Sequence, residues 1–530
     1  MDREINLDPI LALEDQIREH ERAIIQLKRT RNSLLNISTL LPPEILGTIF
    51  CWNAIPEGDF GGLPKGSYNF LLVCHHWFKV ASQTPGLWSF WGNSIEDWSH
   101  RHTRCGTTPL DLVLEGYTGR ELDGQLRDAL QDRAARDVIR QVHLYSVPEL
   151  LNSIISSIVT EWEETRPSLG VESLIVQNGD RPFVDVSAFF SRYRLPKLRS
   201  LVLYGCKISS WDLLKSQTSA LTTLELAARD LSPSPTLPQF LSIIASNPLL
   251  EDLFLFPSPA PYATDGDRSS PPVPLRHLKR LHFTSAFFHA FWLLSRVELP
   301  YEMDKLSLFL CGCSPSDLSQ ILGPYLGDRL RRRVKFPGGA LGLVSAKSGP
   351  TAFCLSVGDI RKGSDITEAD WFLEVLIGLS ERPEDEEADK MYFDLVSHIP
   401  REEVVTLETS LPILRSELFC AEMRNLTCLH VVGVDLSTWF AEPDVSDPIP
   451  PFEELLPHLD RIVITKSTLS GGDWTPLTNF LSRRAAVGDR ISSLSLGGHP
   501  NMDEDVVASI ECVVGAFERV AEVSEDEGGE

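Results

Sequence analysis

Leu198-Arg199-Ser200-Leu201-Val202-Leu203-Tyr204-Gly205-Cys206 is the stretch on which the fold turns, with leucine at its first, fourth and sixth positions. Side chains alternate along a strand, so Leu201 and Leu203 share one face while Ser200, Val202 and Tyr204 take the other. A strand this short cannot bury its apolar face alone. The template, other apolar residues allowed, recurs at Ile139-Val142-Leu144, Val171-Leu174-Val176, Leu221-Leu224-Leu226, Leu250-Leu253-Leu255, Leu278-Leu281-Phe283 and Met303-Leu306-Leu308. The starts lie 32, 27, 23, 29, 28 and 25 residues apart in chain order. Matches resume at Val404-Leu407, Leu426-Leu429-Val431, Leu459-Ile462-Ile464 and Ile491-Leu494-Leu496. Helical patterns at Trp211 to Ser219, Pro238 to Ala245, Pro315 to Leu322, Pro451 to Leu456 and Leu477 to Arg484 fall between strands. The expectation is an α/β repeat: parallel strands with covering helices, each unit burying its leucines against the next.

The template and its spacing resemble those of leucine-rich repeats in a degenerate form. Cys206 stands where that family's template wants Asn or Cys to hydrogen-bond between turns. If the repeats stack, the open side of the sheet carries Gln141, His143, Tyr145, Ser173, Ile175, Gln177, Ser200, Val202, Tyr204, Thr223, Glu225, Asp252, Phe254, Phe256, Arg280, His282, Lys305, Phe309, His430 and Arg461. Aromatic residues and arginine anchor protein interfaces, so Tyr204, Phe254, Phe256, Arg280 and His282 are the expected substrate-binding group. The template lapses between 303 and 404. There Leu341 to Ala346 and Ala352 to Val357 alternate around Lys347-Ser348-Gly349-Pro350 as a hairpin, and Trp371 to Leu379 reads as a helix. Pro257 to Pro274 and Ala441 to Pro451 read as loops, Glu381 to Asp389 as an acidic turn and Ser524 to Glu530 as an acidic tail.

A second organising stretch runs from Leu40 to Trp91. Leu41-Pro42-Pro43-Glu44-Ile45-Leu46 opens a helix, the prolines suiting a first turn and Glu44 the positive end of the helix dipole. Ile45, Leu46, Ile49 and Phe50 then form an apolar stripe, followed by Val73-Cys74-His75-His76-Trp77 and Pro85-Gly86-Leu87-Trp88. Helices this small build little core, so the surface that packs them is expected to continue into a partner. This order of motifs resembles the fungal F-box-like domain, with Asn53 to Asn69 as an insert. The resemblance implies that Leu41, Pro42, Glu44, Ile45, Leu46, Ile49, Val73, Cys74 and Trp77 bind the adaptor subunit of a cullin-RING ubiquitin ligase. It further implies a substrate-recognition subunit of the SCF type whose repeats hold an unknown target protein. The alternative is a non-catalytic scaffold outside any ligase.

Ahead of that module, Asp8-Pro9 starts a helix whose seam Ile10, Leu13, Ile17, His20, Ile24, Leu27, Arg31 and Leu34 keeps heptad spacing. Acids fall early (Glu14, Asp15, Glu19, Glu21) and bases late (Lys28, Arg29, Arg31). Such a helix either pairs with another chain, including a second copy, or lies back on its own. The expected layout is therefore 1–36 helix or coiled coil, 37–99 F-box-like domain, 100–520 irregular repeats and 521–530 acidic tail.

With 74 acidic against 49 basic residues, the formal charge is -25, which disfavours nucleic acid or an anionic membrane as main partner. Phe283 to Ser295, the longest apolar stretch, is too short to cross a bilayer and reads as a buried helix. Met1-Asp2-Arg3-Glu4 lacks a basic segment leading into an apolar run, and ten scattered cysteines suit a reduced setting, so an intracellular place in cytoplasm or nucleus is expected. Gly-x-Ser-x-Gly, His-Glu-x-x-His and phosphate-loop motifs do not occur. Cys311-Gly312-Cys313 and the group His100, His102 and Cys105 lack the second half of a tetrahedral zinc site. Arg331-Arg332-Arg333 with Lys335 reads as a solvated helix end, and Cys74 as a small packing residue. The sequence thus points to no enzyme, no cofactor and no metal.

Overall fold

The leucine template becomes columns of buried side chains in a computed structural model. It describes residues 8–34, 41–53, 69–91, 103–115, 138–146, 152, 170–178, 184–227, 235–256, 272–286, 293–300, 303–313, 340–349, 352–360, 370–379, 399, 402, 404–409, 423–433, 436, 456–467, 474–497 and 502–520. The fold is mixed α/β, its strands mainly parallel, and it divides into two compact units. One comprises Met1–Leu221 with Leu231–Pro233, the other Thr222–Asp230 with Ser234–Glu530. In a repeat array each unit touches only its neighbours, so composition does not announce such a division.

The first unit opens with α1 (Asp8–Leu34) and α2 (Pro43–Asn53). A 3-10 turn at Asn69–Leu72, α3 (His75–Ser82) and a second 3-10 turn at Pro85–Trp88 follow. Then come β1 (Phe90–Trp91), β2 (Leu110–Glu115), β3 (Ile139–Ser146), β4 (Ser173–Asn178), β5 (Val184–Asp185), α4 (Ser187–Arg192), β6 (Ser200–Tyr204), β7 (Cys206–Lys207) and α5 (Trp211–Gln217). Strands β1, β2, β3, β4 and β6 pair in that order, all parallel. The register sets Val142 beside Leu174 and Leu201, and Leu144 beside Val176 and Leu203, all buried. Each fully buried leucine contributes about 1.5–3 kcal/mol, and stacking makes that burial possible.

Apart from this sheet β5 pairs with β7, also in parallel. The Cys206 thiol donates to the Val176 carbonyl at 3.6 Å and the Tyr204 carbonyl at 3.4 Å, a link between successive turns. Burial pushes that thiol far above its ordinary pKa, so it stays protonated and can donate. Gly205 is left-handed (φ 62°), and a Cβ there would stand 2.5 Å from the Asn178 carbonyl oxygen. Gly106 has the same φ with nothing within 4 Å of its would-be Cβ. Gly106→Ala should therefore cost about 1 kcal/mol and Gly205→Ala about 3 kcal/mol, because only the second adds a backbone collision to the strain. Chemical denaturation of the two variants measures the gap.

In the second unit the order is β8 (Thr223–Ala227), α6 (Leu237–Ala245), β9 (Asp252–Phe256), β10 (Val273–Pro274), β11 (Arg280–Ala286), β12 (Val297–Glu298) and β13 (Lys305–Cys313). There follow β14 (Ala340–Gly349), β15 (Ala352–Ile360), β16 (Asp370–Leu379), β17 (Val404–Thr409), β18 (Cys428–Val432), β19 (Arg461–Thr465), α7 (Thr475–Ala486), β20 (Ser493–Gly497), α8 (Glu504–Val513) and β21 (Ala516–Val520). Helix α6 starts on a reciprocal cap: the Gln239 N–H donates to Thr236 Oγ1 and the Thr236 N–H to Gln239 Oε1. Leu224, Leu253, Leu281 and Leu306 align across β8, β9, β11 and β13, and Leu407, Leu429, Ile462 and Leu494 across β17 to β20. All eight are buried.

Between these runs the chain departs from simple succession. The neighbour of β13 is β16, parallel to it; β15 and β14 follow as antiparallel strands, and β14 then pairs in parallel with β17. The expected hairpin is present as β14 and β15. Trp371 to Leu379, expected to be helical, is instead the central strand β16. It pairs with a neighbour on each side, and its apolar run, lacking a clear period of two, is indistinguishable by pattern from a short buried helix. Of the buried helix expected over Phe283 to Ser295, Phe283 to Ala286 instead complete β11, residues 287–292 lie outside the described residues, and Leu293 and Leu294 are helical and buried. The insert at 53–69, the loops, acidic turn and tail, the basic patch at 331–335, His100, His102 and the helix at 315–322 lie wholly or mostly outside the described residues, as does most of that at 451–456.

Candidate docking surfaces

Helix α2 is apolar on two faces. Leu46, Gly47 and Phe50 turn inward, and Ile45, Ile49 and Trp52, at spacings of four and three, turn to solvent. The inward face is closed by aromatic packing. Phe50 stacks on Phe70 at 4.5 Å between centroids with planes 8° apart, and meets the Trp77 ring at 5.2 Å. Gly47 lets the 3-10 turn after α3 approach, since a Cβ there would stand 2.8 Å from Thr84 Oγ1. Cys74 caps α3, its sulfur accepting from the Trp77 N–H at 3.5 Å. Trp88 is buried, donates from Nε1 to the Ala81 carbonyl at 2.9 Å, and carries the Arg104 guanidinium 4.4 Å from its ring.

Of the nine expected docking residues, Ile45 (50 % exposed), Ile49 (44 %) and Val73 (54 %) present large apolar surface. Pro42 and Glu44 are exposed; Leu41, Cys74 and Trp77 are half-buried. Leu46 is 1 % exposed. Its place 100° around the helix from Ile45 turns it into the module's own core, which corrects the expectation that it meets a partner directly. Trp52 (73 %), Leu72 (85 %) and Phe78 are exposed as well. Sequence reasoning stopped the stripe at Phe50; continuing from Ile45 and Ile49 by three residues would have reached Trp52.

The expected substrate-binding residues fall in both units. Tyr204 belongs to the first, where it stands in register with Gln177 and Tyr145 and is half-buried. Nearby, His143 meets Tyr145 edge-on at 6.3 Å; burial lowers the His143 pKa, opposed by the charge of Asp111. Asp111 is engaged by Arg140 in a two-pronged pair at 3.1 and 2.7 Å.

Phe254, Phe256, Arg280 and His282 belong to the second unit and form one cluster. The His282 ring lies 4.6 Å from Phe256, 4.9 Å from Phe309 and 6.2 Å from Phe254. Arg280 holds Asp252 with both prongs, at 2.6 and 2.8 Å, and its guanidinium lies 5.6 Å from the Phe254 ring centre. That hydrogen-bonded pairing raises the pKa of an already permanent cation. The rings cover one another in part, leaving a half-buried aromatic band with a charged pair at its edge. Ser307, beside His282 in register, is buried, so the band is narrower than strand alternation implies. Such a band can bind apolar or aromatic side chains by stacking. A third group lies further along: His430 Nδ1 sits 2.7 Å from Glu408 Oε2, and its Nε2 2.9 Å from Thr465 Oγ1.

Among the described residues no group of three or more His, Cys, Asp and Glu side chains is placed to hold a metal ion. Cys105 is buried and donates to the Thr108 carbonyl at 3.1 Å. No described helix is long and apolar enough to cross a membrane. Compared with models of protein families and with curated proteins, the chain matches none.

Proposed function

We propose that this chain is the substrate-recognition subunit of an SCF-type cullin-RING ubiquitin ligase. Its F-box-like helices bind the adaptor, and its leucine-rich repeats hold a target protein. The observation that carries this reading is the second apolar face of α2. Ile45, Ile49 and Trp52 offer water a contiguous stripe on a helix whose opposite face is already packed, and Leu72, Val73 and Phe78 add apolar surface in the next two elements. A stripe of that kind is costly unless a protein covers it. The aromatic band of the second unit supports the target-binding half, being built from the residue types that dominate interface energetics. Transfer chemistry would belong to other subunits; this chain would raise the effective concentration of target near the ubiquitin donor.

The test is binding of the purified full chain to a purified adaptor subunit by calorimetry. Ile45→Asp/Ile49→Asp should weaken it by at least about 30-fold, the scale of losing two interface anchors, with unfolding still cooperative and its midpoint lowered only slightly, because about half of each side chain already faces solvent. Absence of wild-type binding at high micromolar concentrations refutes the ligase reading and leaves a repeat scaffold.

A further inference from the structure

Helix α1 is 27 residues long, and every side chain from Ala12 to Arg31 is exposed. A solitary helix with that composition is marginal in water, because most helical stability in proteins comes from packing an apolar face. Yet its seam is apolar: Leu13, Ile17, Ile24 and Leu27 are all among the exposed large hydrophobic residues, Ile17 at 55 % and Leu27 at 71 %. The seam needs cover, and its charges specify which.

We infer that α1 pairs with α1 of a second copy of this chain as an antiparallel coiled coil. The register that overlaps the helices almost completely places the twofold axis beside Arg22. Leu13 then faces Arg31 of the other copy, Ile17 faces Leu27, and His20 faces Ile24, each layer occurring twice by symmetry. Every layer joins the two kinds of seam position, as antiparallel packing requires. Glu14 of each copy lies beside Lys28 of the other and within reach of Arg31, so the acidic half of one helix covers the basic half of its mate. One contact opposes this, Glu21 against Glu21 at the axis, and two Glu14–Lys28 pairs outweigh it. The parallel arrangement lacks these gains. It would stack Arg31 on Arg31 and His20 on His20 inside the seam, and the flanking positions would bring Gln16 to Glu21 and Ala23 to Lys28, with no opposite charges. Among the described residues Glu14 forms an ion pair with Arg18 alone, at 3.8 Å on the exposed surface, a contact worth little.

This inference does not rest on adaptor binding, which uses α2 and α3. Sedimentation equilibrium of the full chain, at concentrations up to the order of 100 µM, should give twice the 59.2 kDa chain mass. Ile17→Asp/Leu27→Asp should return the mass of one chain without altering cooperative unfolding. Glu14→Lys or Lys28→Glu alone should weaken the dimer about tenfold, more at low salt, and Glu14→Lys/Lys28→Glu should restore it. Orientation is read by mixing full chains carrying Ile17→Cys and Leu27→Cys under mild oxidation. A disulfide-linked heterodimer should form above the wild-type background, and neither variant should cross-link to itself. A single-chain mass, a dimer insensitive to the seam variants, a charge swap that does not rescue, or self-linking through Ile17→Cys would each overturn the proposal.

Discussion

Replacing Arg484 by leucine should lower stability by about 4 kcal/mol, within the usual range for stranding the partners of a buried charged group. Arg484 lies in the last turn of α7 and is 1 % exposed. Its guanidinium donates to four backbone carbonyls: Leu456 at 2.7 Å, Leu459 at 3.1 Å, Asp489 at 3.1 Å and Pro457 at 3.4 Å. Three of these belong to the turn that feeds β19, and the fourth to the loop leaving α7. One side chain thus fastens a helix to the strand before it and to the segment after it. A buried ion pair can sometimes be exchanged for apolar residues at little cost, because both partners are removed together. Here the acceptors are main-chain oxygens that no substitution deletes, so they stay behind. Arg484→Lys should recover only part of the loss, since one ammonium with three donors cannot span four carbonyls arranged around a planar fork. Denaturant unfolding ranks wild type, Lys and Leu. Hydrogen exchange at Leu459 to Thr465 should localise the damage to the start of β19, and equal midpoints for all three proteins would contradict this account.

Nothing in the sequence announces Arg484. It stands at the end of an expected helix, in a run Arg483-Arg484 that reads as ordinary cationic complement to the helix dipole, and which of two adjacent arginines turns inward depends on packing. The repeats behave differently. Their period-two burial is a local property, and Leu174, Leu253 and Leu429 occupy the buried side where alternation puts them, whereas in β6 Val202, expected on the open side, is buried along with Leu201 and Leu203. Strand β16 escaped because Trp371-Phe372-Leu373-Glu374-Val375-Leu376-Ile377-Gly378 has no clean period at all. A short apolar run without alternation reads alike as a strand or as a segment of buried helix, and periodicity alone does not separate them. The candidate surfaces were legible in the same partial way. Spacing placed Phe254 and His282 on the open face, whereas the burial of Ser307 and the pairing of Arg280 with Asp252 depend on contacts between strands 25 or more residues apart. On α2 the sequence showed that the helix was too apolar for its size, but not how the surplus divides between two faces.

That division makes the last prediction. Phe50→Ala should destabilise the first unit by about 4 kcal/mol, the usual cost of emptying a buried aromatic site, since Phe50 is enclosed by Phe70 and Trp77. Ile49→Ala, one residue away, should change stability by no more than about 0.5 kcal/mol, because its side chain is nearly half exposed and packs on little. If the proposed adaptor docks on the outward face, the order reverses in a binding experiment performed below the unfolding midpoint. Ile49→Ala would weaken capture although the protein is folded, and Phe50→Ala would weaken it only to the extent that the helix is lost. The two substitutions, on one helix and of like chemistry, thus separate a residue that holds the module together from one that offers it to another protein. An Ile49→Ala penalty as large as that of Phe50→Ala would mean that this chain covers the outward face itself, and the case for an adaptor would go with it.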